Sequence, residues 1–246
     1  MSSVNDIGLR AGCESSTRER VADILDRSAI STCTIVDSLD ALGVANTVFD
    51  SRLACKSSST GICFGAAFPV SWAVVRKGNA ISAPGPSTWS EVRDFVVPSV
   101  VDGRGYFYVA GAGELVTEAA LAGGISVTYL IESLRFEGIL LGGAVRDRNV
   151  IEACTSPVIA SNFTPSDTQG SYRVVSVGEK CLVGHTLVSR GDWIFADGNG
   201  AVCIPHDLLF PALRGAASIE ERESQVVAAV NAGRHLPEVI DEIGQI

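Results

Sequence analysis

Ile139-Leu140-Leu141 runs directly into Gly142-Gly143, and after Ala144-Val145 the chain presents Arg146 beside Asp147. An apolar run this short reads as a buried strand. The two glycines that stop it permit a tight turn and a close backbone approach. A chain built from strands cut this short, with helical text between them, must stack them as α/β layers. The dipeptide after the turn also carries chemistry. An arginine fork fits a carboxylate or an enolate oxygen, and an aspartate holds a hard divalent cation. The plain alternative is an ion pair at a strand end.

The remaining text supports that architecture. Val21, Ile24 and Leu25 fall on one helical face within 17–27. Ser31 or Thr32 caps a second helix, whose stripe is Ile35, Val36, Leu39 and Leu42 and whose end is Gly43. Asp37 and Asp40 are read as solvent-facing charges. Phe64 to Val75 is β-rich, and a polar loop follows from Lys77 to Ser87. Tyr106 to Val109 reads as a strand closed by Gly111-Ala112-Gly113. Glu114 to Leu121 reads as helix, Gly123-Gly124 breaks it, and a second helix covers about 126–135. Val150 to Ala153 is helical, and strands are expected at 158–160 and 173–177. Asp197-Gly198-Asn199-Gly200 marks a hairpin between Trp193–Ala196 and Ala201–Ile204. A C-terminal helix carries Ile219, Val226, Val227 and Val230.

Of 246 residues, 46% are hydrophobic and 19% charged, so the chain is long and apolar enough to bury a sizeable core. The net charge of −9 argues against a nucleic-acid footprint. No apolar run approaches a membrane span, and the polar N-terminus lacks an apolar leader. The seven cysteines are irregularly spaced, which fits reduced thiols and a cytoplasmic protein. Cys154 is read as a packing residue. The three histidines are scattered, so a zinc site is not expected. No P-loop, dinucleotide fingerprint or nucleophile elbow is present.

Gly123-Gly124 opens a helix, and first-turn amides with the helix dipole behind them suit a carboxylate. One helix and one strand link this point to Arg146-Asp147, in the manner of a site at strand C-terminal ends.

Several segments, in order, resemble the RraA-like family, which includes the 4-hydroxy-4-methyl-2-oxoglutarate and 4-carboxy-4-hydroxy-2-oxoadipate aldolases. They are Asp37–Gly43, Phe64–Val70, Gly142–Asp147, Thr164-Pro165-Ser166-Asp167 and Gly191–Pro205. The resemblance spans roughly 28–240, behind a flexible N-terminus at 1–16, with 17–246 as one domain. It implies a compact α/β/β/α layered domain of the swivelling β/β/α type. It implies a homotrimer or hexamer, with sites between subunits and the C-terminal helix at the interface. Asp147 would hold Mg²⁺ (or Mn²⁺), and Arg146 would bind the pyruvate portion of a 2-oxo acid and steady its enolate. Gly124, Ile125, Ser126 and Val127 would cradle the carboxylate, with the amides of Ser126 and Val127 foremost. Glu223 of a neighbouring subunit would complete the site, with Glu220 and Glu221 as near competitors.

One position departs from the pattern. The aldolases carry an acid, then twenty residues, then Arg-Asp, and here the acid's position is Ile125. Ile can neither hold a metal-bound water nor move a proton. Setting Glu114 in that role demands an eleven-residue insertion, whereas the ungapped register also aligns Gly138, the strand and Gly143. Asp167, Asp197 and Glu223 are the replacement acids left open. The expected activity is a metal-dependent carbon–carbon lyase of the aldolase or decarboxylase type. The alternatives are a non-catalytic regulator of a ribonuclease and a biosynthetic isomerase or cyclase that reuses the enolate site.

Overall fold

The computed structural model describes residues 15–74 and 89–244. Most of the expected flexible N-terminus and the whole Lys77–Ser87 loop lie outside the described residues. The elements in chain order are α1 (Ser15–Arg27), α2 (Thr32–Ala41), β1 (Ala54–Cys55), β2 (Cys63–Val74) and α3 (Trp89–Val92). Then come β3 (Tyr106–Gly111), β4 (Val116–Ala122), α4 (Gly124–Thr128), β5 (Gly138–Leu141), β6 (Gly143–Val145) and α5 (Arg148–Ala153). Next are β7 (Val158–Ala160), β8 (Tyr172–Val177), β9 (Lys180–Val183), β10 (Thr186–Ser189), β11 (Trp193–Asp197) and β12 (Gly200–Ile204). Helices α6 (Leu209–Asn231) and α7 (Leu236–Ile243) follow. The expected α/β class holds.

The main sheet runs β1-β7-β5-β3-β2-β11-β12, with β8 also paired to β2. Strands β2, β3, β5 and β7 are parallel, and the others join antiparallel. Strand β2 changes partner midway, pairing β11 through Cys63–Ala66 and β8 from Val70 onward. Pro69 lies between the two ladders, where a missing N–H is tolerated. The sheet curls until its ends share one small cavity, lined by Cys55 and Pro157 at one edge and Ala196 and Gly200 at the other.

Alternation along the strands sorts two cores. Tyr106, Tyr108 and Ala110 face a layer that includes Ile35, Leu39, Leu130 and Leu213 from the helices. Phe107 and Val109 face the opposite way and pack with Leu140, Ile159, Cys181, Val183 and Val188. The β9–β10 hairpin thus covers the second sheet face. Buried on both sides, these strands carry continuous apolar runs and not alternating ones.

Two sequence expectations change. Glu114–Leu121, read as helix, contains instead most of β4. Alanine, glutamate and leucine favour helix locally, but β4 is held by parallel pairing to β6, with Val116 opposite Gly143 and Ala122 opposite Val145. Gly143 permits this, since a Cβ there would lie 2.4 Å from the Val116 carbonyl oxygen. The second helix starts at Gly124 and widens into a π turn over Tyr129–Ser133. The hairpin at Asp197–Gly200 is as expected, and α1 takes in Ser15 and Ser16. Among the described residues no helix is long and apolar enough to cross a membrane. Six cysteines are described and all are free, with Cys154 half-buried and its thiol pushed up by burial.

Candidate functional site

The short β4–β6 ladder is what assembles the site. The two strands are parallel, so their C-terminal ends lie side by side, and the Arg146 amide donates to the Ala122 carbonyl at 3.2 Å. Gly123-Gly124 leaves one strand where Arg146-Asp147 leaves the other. A third extended segment joins them. The Val145 amide bonds to Asn162 O and the Thr164 amide to Val145 O, while the Ala120 amide bonds to Ser166 O at 3.0 Å. Asp167 is thereby carried to the Arg146 guanidinium.

Asp147 adopts a left-handed backbone, φ 66° and ψ 54°. For a non-glycine residue this costs about 1 kcal/mol or more, though Asp tolerates it better than most. It turns the carboxylate back on the helix start, where Oδ2 accepts the Gly124 amide at 2.7 Å. The Arg146 guanidinium lies 3.9 Å from that oxygen and 3.2 Å from Asp167 Oδ2. Asp167 also accepts from the amide of Thr168 and the side chain of Gln169. Farther along this loop the Tyr172 amide bonds to Thr168 O at 2.9 Å, and the Tyr172 hydroxyl donates to the Glu118 carboxylate. Burial, then that bond, push the Tyr172 phenol up to about 12, and the same bond holds Glu118 below the usual carboxylate range.

The first-turn amides divide unevenly. Gly124 N–H is engaged by Asp147, and Val127 N–H donates to Gly123 O at 2.9 Å. The Val127 side chain is buried, so the expected role of Val127 as a carboxylate donor is not met by its geometry. The Ser126 hydroxyl closes the turn by accepting from Gly123 N and donating to Gly123 O. Among the described residues, no acceptor meets the amides of Ile125 and Ser126, as is usual for a first helical turn.

These groups border a cleft of about 390 Å³, within the size range of small-molecule sites. Arg146, Asp147, Asp167 and Ser126 form one end, and Trp89, Phe95, Ile125 and Tyr129 form an apolar wall. Ile125 stands directly after Gly124 with 91% of its surface exposed. Glu114 is exposed and does not line the cleft, which agrees with the ungapped register. Of the replacement acids, Asp167 is at the site. Asp197 lies elsewhere and accepts from the amide and hydroxyl of Thr32 at the start of α2. Glu223 is on α6 and outside the cleft of its own chain, while Glu220 and Glu221 line a groove between α1 and α6. The aromatic wall is the part that sequence reading missed. Tyr129, four residues after Ile125 on one helical face, was the available signal; Trp89 had none.

Two carboxylates and one guanidinium leave this end of the cleft with a net negative charge, which repels a carboxylate ligand. A divalent cation reverses that sign. Among the described residues there is no group of three or more His, Cys, Asp or Glu able to enclose a metal. The exposed Asp147 carboxylate therefore fits a cation that keeps most of its waters, as Mg²⁺ does.

A model of the RraA-like family, described as Aldolase/RraA, matches residues 32–203. An uncharacterised protein of Methanocaldococcus jannaschii is 31% identical over 131 residues, covering 52% of this chain and 61% of that protein. Protein DlpA of Legionella pneumophila is 26% identical over 212 residues, covering 85% of this chain and 31% of DlpA. A Hahella chejuensis protein with the provisional name 4-hydroxy-4-methyl-2-oxoglutarate aldolase is 29% identical over 112 residues, 46% of this chain and 61% of its own length. The matches thus span at most about three-fifths of these curated relatives. Among solved structures, an uncharacterised Pseudomonas syringae protein superposes with a TM-score of 0.68 at 21% identity, covering 90% of this chain and 96% of that one. Streptomyces coelicolor RraAS2, described as an unusual member of the RNase ES inhibitor RraA protein family, gives 0.63 at 20% identity, covering 82% and 93%. At these identities the two structures support the fold.

Proposed function

On the premise that this chain belongs to the RraA-like family, we propose that it is a divalent-metal-dependent carbon–carbon lyase. It acts on a 2-oxo acid by aldol-type cleavage or decarboxylation through a pyruvate-type enolate. The observation that carries the reading is the meeting of Arg146, Asp147 and two open helix amides at one end of a single cleft.

Each residue has a role that its geometry supports. Asp147 holds the cation through the lone pairs that Gly124 leaves free. When bound, Mg²⁺ or Mn²⁺ supplies the Lewis acid that enolate chemistry requires. Arg146 offers its fork to the carboxylate and to the oxygen on which charge develops. Asp167 fixes the direction of that fork. The amides of Ile125 and Ser126 receive the substrate carboxylate. The proposed assembly is a homotrimer or hexamer, in which Glu223 reaches a neighbour's cleft.

Oxaloacetate is the simplest probe, since loss of CO₂ from it passes through the enolate of pyruvate. Pyruvate release should require Mg²⁺ or Mn²⁺, stop in EDTA and return on readdition. Arg146→Ala should lower kcat/KM at least 100-fold, the scale of a lost transition-state charge partner. Full turnover in EDTA would sink the metal role.

The exposed Ile125 in place of an acid favours a second reading, a protein-binding regulator of a ribonuclease. Inhibition of an endoribonuclease by a protein that releases no pyruvate from oxaloacetate would select it.

A further inference from the structure

The cleft is two-sided in its chemistry, and the apolar side has no place in binding pyruvate alone. Besides Arg146 and Asp167, the cleft is lined by Trp89, Phe95, Ile125 and Tyr129. Trp89 meets Phe95 edge-on with ring centroids 6.3 Å apart, and Phe95 rests on the buried Trp72 at 5.6 Å, so this wall is a supported aromatic cluster. Trp89 and Tyr129 nevertheless remain 45% and 37% exposed, and Ile125 is almost wholly so. Large apolar groups left in water beside a charged end gain by covering, and aromatic faces gain most from another ring. The polar end already accounts for the oxo-acid head. The cleft's about 390 Å³ exceeds what a three-carbon acid fills.

Resting on the oxo-acid reading above, we infer that the substrate is a 2-oxo acid with an aromatic arm, preferred over an oxo-diacid. Ile125 is the residue that sets this preference. Its side chain lines the cleft and offers a second carboxylate no polar partner. An uncompensated carboxylate against Ile125 and Tyr129 loses hydration, whereas a phenyl ring loses none that matters.

The test is calorimetric binding of pyruvate, phenylpyruvate and 2-oxoglutarate to the full chain with saturating Mg²⁺. Phenylpyruvate should bind at least tenfold more tightly than 2-oxoglutarate. Ile125→Ser should narrow that ratio at least fivefold. Tyr129→Ala gives an independent arm and should weaken phenylpyruvate alone. Equal or tighter binding of 2-oxoglutarate overturns the aromatic assignment and leaves the oxo-acid site standing. Failure of all three ligands, or binding unaffected by Arg146→Ala, overturns the oxo-acid reading and this inference with it. If Ile125→Ser changes the oligomeric state and not the ratio, Ile125 is a subunit contact and the inference falls.

Discussion

A Cβ added to Gly123 would lie 2.8 Å from Asp147 Oδ2 and 2.9 Å from Arg146 Cγ. The Gly123 backbone is extended, at φ −130° and ψ −178°, so alanine suits its conformation and only the neighbours object. Those neighbours are the two side chains that define the site, and both can swing away. Gly123→Ala should therefore leave stability within about 1 kcal/mol, the usual range for a substitution that side chains absorb. It should lower kcat/KM at least 100-fold, because a displacement of about 1 Å costs that much. Melting curves and steady-state kinetics on one preparation separate the two effects. Asp147→Asn asks a different question. Asparagine tolerates the left-handed backbone and can still accept the Gly124 amide, so shape is kept and charge is lost. Metal affinity should fall at least tenfold with an unchanged melting temperature, read by Mn²⁺ titration.

At the scale of elements, α2 is tied to the β11–β12 hairpin through one carboxylate. Burial disfavours the charge on Asp197, but the Thr32 amide and hydroxyl and the Asn199 amide outweigh it and hold the group below the usual carboxylate range. A depressed folded value stabilises the protein above the unfolded value of about 3.9, and that stabilisation is lost as pH falls through the folded one. Asp197→Asn should flatten the decline in melting temperature below about pH 4. Identical acid limbs for both proteins would disprove the tie. The hairpin itself was legible because Asp-Gly-Asn-Gly allows few turns, and α2 because Ser31 caps it through the Thr34 amide. Strand β4 was not legible. Its Glu, Ala and Leu speak for a helix over seven residues, and only Gly143, on another strand, reveals that a backbone must pass there. The β9–β10 hairpin had no signal that stood out from loop text. In the site, Arg146, Asp147 and Gly124 were readable from glycine placement. The encounter of Arg146 with Asp167 depends on a bridge between Ala120 and Asp167, which spacing alone does not encode.

The whole molecule carries a net charge of −9, and the proposed substrate is an anion. Long-range forces then oppose encounter, and only the local arginine and cation attract. Screening should help. Raising ionic strength from about 10 mM to about 100 mM shortens the Debye length from about 30 to about 10 Å. At fixed free Mg²⁺, kcat/KM should rise about two- to threefold over that range, a modest fraction of the rate effects that electrostatic steering produces. A fall would mean that the mouth of the cleft is locally positive despite the global balance.

The midway change of partner along β2 has a consequence in time. Val70 waits for Val177 and Ala66 for Trp193, each more than a hundred residues downstream. The loops that hold Arg146 find one another within about fifty residues, from Val116 to Asp167. Pairings at such separation are slow to close. The chain thus drafts its reaction centre early and bolts it to a frame that arrives late. After dilution from denaturant, catalysis should reappear in step with the closing of the large sheet and lag behind the first helical signal.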